Sequence, residues 1–198
     1  MEQTKMFSDY MLRYDKLNVV ISLTNNHIIN NDEPLFYDNA NFYTKAYLIM
    51  QCVYLESYIK EVLKYYIDEI NKRINDIKLP YNLIKWIFSP KNLIKENDRK
   101  NIDFIIDVSI KDIDGHISAN PYRTKDLLEH FGFCLDENET FHRNKEKINA
   151  IVTKRNNIVH YNDDSSDVSN ADLLDNIVII KEYMGCIDQL ICSNLSQE

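Results

Sequence analysis

From residue 41 to residue 77 the chain contains neither glycine nor proline, and Pro80 is the first break after it. Ala46, Ile49, Met50, Val53, Tyr54, Ser57, Tyr58, Glu61 and Val62 keep a three- and four-residue rhythm that continues to Ile70 and Ile74. That is helical spacing. At about 1.5 Å rise per residue, a helix of this length is a central spine against which the other elements must pack. The expected fold class is all-α.

The rest of the chain fits that expectation. Residues 5–24 read as a first helix, with Met6, Tyr10, Leu17, Val20 and Ile21 at helical spacing. Asn25, Asn26, Asn30, Asn31, Asp32 and Pro34 then read as a loop. Leu83, Ile84, Trp86 and Ile87 suggest a short helix ending before Pro90, and residues 91–107 another. Residues 108–140 hold Asp114-Gly115, Asn120-Pro121, a short helix around 124–130, Gly132 and an acidic loop, and read as a surface excursion. Residues 141–160 form a helix burying Ile148, Ile151, Val152 and Ile158. Residues 170–193 form the last, with Ser169 or Asn170 as its N-cap and Asp172 in its first turn. The result is a single domain, residues 1–198: a helical bundle with a long central helix and an inserted helical and loop excursion around 81–140. Three glycines and four prolines in 198 residues favour this over a strand-and-turn design.

Charge and composition narrow the partners. The net charge of −8 means the chain does not coat nucleic acid non-specifically, so RNA contact must come from a local cationic site. No apolar run approaches membrane-spanning length, and the opening Met1-Glu2-Gln3-Thr4-Lys5 is unlike a signal peptide, so the cytoplasm is the expected compartment. Cys52, Cys134, Cys186 and Cys192 form no Cys-x-x-Cys pair and read as free thiols.

Chemistry concentrates in Arg155-Asn156-Asn157-Ile158-Val159-His160, where the helix over 141–160 gives way to the polar run Tyr161-Asn162-Asp163-Asp164-Ser165-Ser166. Arginine supplies a permanent cation for a phosphate, and histidine a group that exchanges a proton near neutral pH. Five helical positions place the two about 140° apart, so they converge only if the helix end distorts or a second copy approaches. Both are expected to lie off the apolar stripe. The helix dipole favours the cationic form of a histidine at a C-terminus, which suits an anionic ligand.

These residues resemble the signature of the HEPN superfamily: an arginine, usually a polar residue next, three further positions and a histidine. Glu56-Ser57-Tyr58-Ile59 on the long helix is similar to a stretch in HEPN groups of the RiboL-PSP and MAE_28990 type. The apolar approach Ile148-Asn149-Ala150-Ile151-Val152 and the Asp/Ser-rich loop before a final amphipathic helix agree. The resemblance implies a homodimer with a composite cleft holding Arg155 and His160 of both copies. It also implies metal-independent endoribonuclease activity that leaves 2′,3′-cyclic phosphate ends, in a toxin or anti-phage defence effector. His160 would move the proton, Arg155 would stabilise the phosphoryl oxygens, and Asn156 would position the phosphate or the histidine. Glu56 is the candidate for orienting Arg155. A tyrosine two places after the histidine is modified by a partner antitoxin in some HEPN toxins. Here Tyr161 follows His160 directly and Asn162 takes that place. An antitoxin or sensor protein is a further expected partner. The alternative is a non-catalytic HEPN scaffold that binds RNA or a protein through the same cleft. A plain helical interaction module is the third reading.

Other clusters say less. Arg143, Lys145, Lys147, Lys154 and Arg155 make residues 143–155 the most basic segment, so Arg143, Lys147 and Lys154 are candidate RNA-phosphate contacts or simply a solvated face. Asp112-Ile113-Asp114-Gly115 resembles part of a calcium loop but has Ile110 and Pro121 at ligand places. Asp163, Asp164 and Asp167 read as a solvated loop, and His27, His116, His130 and His142 as surface residues without metal spacing. No metal or other cofactor is expected.

Overall fold

The structure, a computed structural model, describes residues 3–75, 79–80, 101–102 and 113–196. Six helices occur among them: α1 Lys5–Asn30, α2 Pro34–Tyr37, α3 Ala40–Asn75, α4 Pro121–Glu129, α5 Glu139–Tyr161 and α6 Asn170–Leu195. Two short strands, β1 Leu79–Pro80 and β2 Asn101–Ile102, pair antiparallel, Leu79 opposite Ile102. The expected helix over 91–107 therefore does not hold at Asn101 and Ile102, where ladder pairing replaces it. The rest of that helix, and the one around residues 83–87, lie outside the described residues.

The all-α reading holds. α3 and α6 each contact every other long helix, and α1 and α5 flank that pair. α1 starts where the Thr4 hydroxyl accepts the Phe7 N–H at 3.0 Å. It buries Phe7, Tyr10, Tyr14, Leu17, Ile21 and Thr24 at alternating three- and four-residue steps. It also runs six residues past the expected end, to Asn30, because its asparagine-rich last turns gain tertiary partners. Thr24 bonds the Tyr47 hydroxyl at 2.6 Å, and Asn25 accepts from Asn170 at 2.9 Å. Asn31, at φ 51°, closes it in the left-handed conformation that asparagine tolerates. α6 opens with a reciprocal cap: the Asp172 N–H donates to the Ser169 hydroxyl, and the Ser169 N–H to the Asp172 carboxylate at 2.8 Å.

The register of α3 differs from its sequence rhythm. Leu48, Cys52, Leu55, Tyr58, Ile59, Val62 and Leu63 are buried, whereas Met50 and Val53 are exposed. Contact with α1, α5 and α6 sets which arc of α3 is covered, and Met50 and Val53 fall outside it. One buried carboxylate ties three elements together. Asp188 of α6 accepts from the Thr4 N–H at 3.1 Å, the Thr4 hydroxyl at 2.5 Å and the Tyr58 hydroxyl at 3.2 Å. Gln51 does similar work on α3: its backbone carbonyl accepts from the Tyr14 hydroxyl at 2.6 Å and its side-chain amide donates to the Leu173 carbonyl at 2.8 Å. No helix among the described residues is long and apolar enough to cross a membrane.

Candidate active site at the end of α5

α5 begins with the Asn138 side chain accepting the Phe141 N–H at 3.0 Å. Phe141, Asn144, Ile148, Ile151, Val152 and Ile158 are its buried residues. It stays helical through Tyr161 and closes at Asn162, φ 52°, whose N–H returns to the Asn157 carbonyl. The loop beyond is pinned from both sides. Lys154 reaches the Asp163 carboxylate at 3.0 Å, the Asp167 carboxylate at 2.7 Å and the Asp164 carbonyl at 2.6 Å. The Ser165 N–H donates to the Asn41 side chain at 3.1 Å, and Lys45 to Asn162 at 3.4 Å.

Because α5 neither frays nor tightens before His160, Arg155 and His160 diverge by about 140° within one chain. Arg155 points inward. It shares the line of the buried Ile148 and Val152, contrary to the expectation that it lies off the apolar stripe. Its side chain is only 17% exposed. What makes a buried guanidinium tolerable there is Glu56 of α3, which accepts a hydrogen bond from an Arg155 terminal nitrogen. The Arg155 Nε is buried with no hydrogen-bond partner, and Cys52 lies beside it. Burial pushes the Cys52 thiol up to about 11, with Arg155 pulling the other way, so the sulfur stays protonated.

Glu56 has a second client that the sequence did not disclose. The same Oε1 accepts the Ala119 N–H at 3.2 Å. Beside it the Asn120 amide donates to Asn149 of α5 at 2.9 Å, and Lys60 pairs with Asp114 at 2.5 Å. The excursion thus returns across α3 and α5 directly at Arg155. The short helix expected around 124–130 runs instead over Pro121–Glu129, with Asn120 as its cap and Pro121 in its first turn, and nothing in sequence names Glu56 or Asn149 as its neighbours.

His160 and Tyr161 are exposed, Tyr161 at 80%, with their rings edge-to-face at 6.4 Å. Asn156 is half-buried one turn before His160. Two of the basic candidates are occupied. Arg143 pairs with Glu182 at 3.0 Å, and Lys154 is spent on the loop, whereas Lys147 is exposed. Asp163 and Asp167 anchor that lysine rather than standing free in solvent.

A family model for RiboL-PSP-HEPN matches residues 8–193, spanning α1 to α6 and the whole Arg155–His160 segment. The chain belongs to the RiboL-PSP-HEPN family. No curated protein and no solved structure matches it. The family is helical, in agreement with the bundle, and the match spans the inserted region as well as the motif helix.

Proposed function

We propose that this HEPN protein is a metal-independent endoribonuclease. The observation that carries the reading is the division of labour at the end of α5. Arg155 is held rigid by Glu56 on the core side, and His160 stands in solvent one and a half turns later. A fixed cation and a free imidazole are what a phosphodiester undergoing internal transfer requires.

Since the two diverge within one chain, a second copy completes the cleft. Exposed apolar residues support such a face: Phe42, Met50 and Val53 share the outer side of α3, with Val159 and Tyr161 at the end of the adjoining α5. In the dimer the RNA 2′-hydroxyl attacks the adjacent phosphorus. The 2′-oxygen–phosphorus bond forms and the 5′-oxygen–phosphorus bond breaks. One His160 takes the 2′-hydroxyl proton, a protonated His160 gives one to the leaving 5′-oxygen, and Arg155 holds the phosphoryl oxygens. Asn156 orients the phosphate or the imidazole. Products carry 2′,3′-cyclic phosphate and 5′-hydroxyl ends. The biological setting that goes with this chemistry is a toxin or anti-phage defence effector restrained by an antitoxin or sensor.

The test is cleavage in chelator of an RNA and of its 2′-deoxy counterpart. Cleavage of the first alone, with cyclic ends, supports the reading; a strict metal requirement or cleavage of the deoxy strand ends it. The pairing of Arg143 and Lys154 with carboxylates favours a second reading, a non-catalytic HEPN scaffold binding RNA or a protein partner.

A further inference from the structure

The outward side of α5 carries a continuous stripe that the motif alone does not predict. Glu146, Asn149, Thr153, Asn156 and His160 follow one another at steps of three and four, so they share one ridge of the helix. From Asn149 to His160 the ridge is about 17 Å long. Glu146, Thr153 and His160 are exposed, and Asn149 and Asn156 half-buried. Between Glu146 and His160 every member is an uncharged hydrogen-bonding residue. At the far end Tyr122 of α4 lies over the ridge, its hydroxyl donating to Glu146 at 2.6 Å while the side chain stays 44% exposed. Asn120 docks on Asn149 beside it.

Three of the four lysine and arginine residues of α5 outside the motif lie elsewhere, and the fourth, Lys145, sits one turn beyond Asn149 at the far end of the ridge. Arg143, Lys147 and Lys154 are turned about 100–140° from His160 around the helix, and the first and last are held by Glu182 and by Asp163 and Asp167. Between Asn149 and His160 a strand therefore meets amides and a hydroxyl, not cations.

We infer that this ridge is the substrate track: unpaired nucleotides of single-stranded RNA lie along Asn156, Thr153 and Asn149 away from the scissile phosphate at His160, and a base stacks on Tyr122. Neutral amides and hydroxyls hydrogen-bond base edges, which only an unpaired strand presents in full, and an exposed aromatic ring accepts any base face. The track passes the point where Ala119 and Asn120 dock, so the inserted excursion is part of the substrate surface through α4. The inference rests on the ribonuclease reading above.

The experiment measures binding of a short, mixed-sequence, 2′-O-methylated single strand, and of the corresponding duplex, by fluorescence anisotropy, alongside cleavage of unmodified RNA in chelator. Tyr122→Ala is expected to weaken single-strand binding about five- to a hundred-fold, as loss of one stacked base does. Thr153→Ala should weaken it about five-fold, as loss of one hydrogen bond does. Arg143→Ala and Lys154→Ala should bind like wild type, the duplex should bind poorly, and log affinity should fall with log salt at a slope between about −1 and −3. Wild-type cleavage with unaltered binding by both ridge variants, or a slope steeper than about −5 with dependence on Arg143, overturns the track and leaves the ribonuclease reading standing. Ridge-dependent binding without wild-type cleavage sustains the ridge as a single-strand binding surface and ends both the ribonuclease reading and the ridge's role as a substrate track. Neither binding nor cleavage by wild type overturns both.

Discussion

Glu56 accepts hydrogen bonds from Arg155 and from the Ala119 N–H on a single carboxylate oxygen, joining the long helix, the motif helix and the returning excursion at one atom. Arg155 is thus part of the packing as well as of the proposed chemistry.

That dual role separates the two motif residues experimentally. His160→Ala removes an exposed ring and should change stability by less than about 0.5 kcal/mol while abolishing cleavage. Arg155→Ala strands the Glu56 carboxylate among half-buried groups and should cost about 1–3 kcal/mol as well as activity. Chemical denaturation of both variants beside an RNA-cleavage assay checks this; equal stability of the two would contradict the inward placement of Arg155.

Glu56 variants probe the same oxygen. Glu56→Gln keeps a carbonyl acceptor for Arg155 and Ala119 and should retain most stability. Glu56→Ala removes it, leaving both donors unpaired, and should destabilise by about 2 kcal/mol and lower the cleavage rate more than the affinity for uncleavable RNA. A drop in affinity alone would point to Glu56 acting elsewhere.

Asp188 should be among the costliest single positions. Asp188→Ala leaves both Thr4 donors without their acceptor, leaves Tyr58 only the Met184 carbonyl and unties α1 from α6, so a loss of about 3 kcal/mol is expected in urea unfolding. A loss below about 1 kcal/mol would mean that water replaces the carboxylate readily.

Acid should loosen the contacts of α6. Hydrogen bonds from Ser169 hold Asp172 below the usual carboxylate range, and Asn144, then Arg143, do the same for Glu182. A depressed folded-state value means that the stabilisation is complete above the ordinary carboxylate range and is lost as pH falls through the lowered values. The melting temperature should therefore fall below about pH 4, and Asp172→Asn should flatten that part of the profile. An identical profile for wild type and variant would refute the cap's contribution.

Most of the architecture was legible because it is local. The glycine- and proline-free rhythm that became the helix Ala40–Asn75, the Ser169 and Asp172 cap and the stripe of Ile148, Ile151, Val152 and Ile158 each show in neighbouring residues. What was not legible depends on tertiary partners. α1 extends to Asn30 because Thr24 and Asn25 find Tyr47 and Asn170, which asparagine propensity alone argues against. Met50 and Val53 lie outside because neighbours on several sides set which arc of α3 is covered. At the site, the motif was visible as a string, and Glu56 was named as the orienting group for Arg155. The inward turn of Arg155, the docking of Ala119 and the engagement of Lys154 by Asp163 and Asp167 depend on approaches from distant segments that no spacing encodes.

The most direct test of the central claim sets wild type and His160→Ala side by side on total cellular RNA in chelator, with the product ends determined chemically. Wild-type fragments ending in 2′,3′-cyclic phosphate, absent from the variant whose melting temperature is unchanged, are the predicted result. Equal fragmentation by both proteins, or none by either, would contradict a ribonuclease centred on Arg155 and His160.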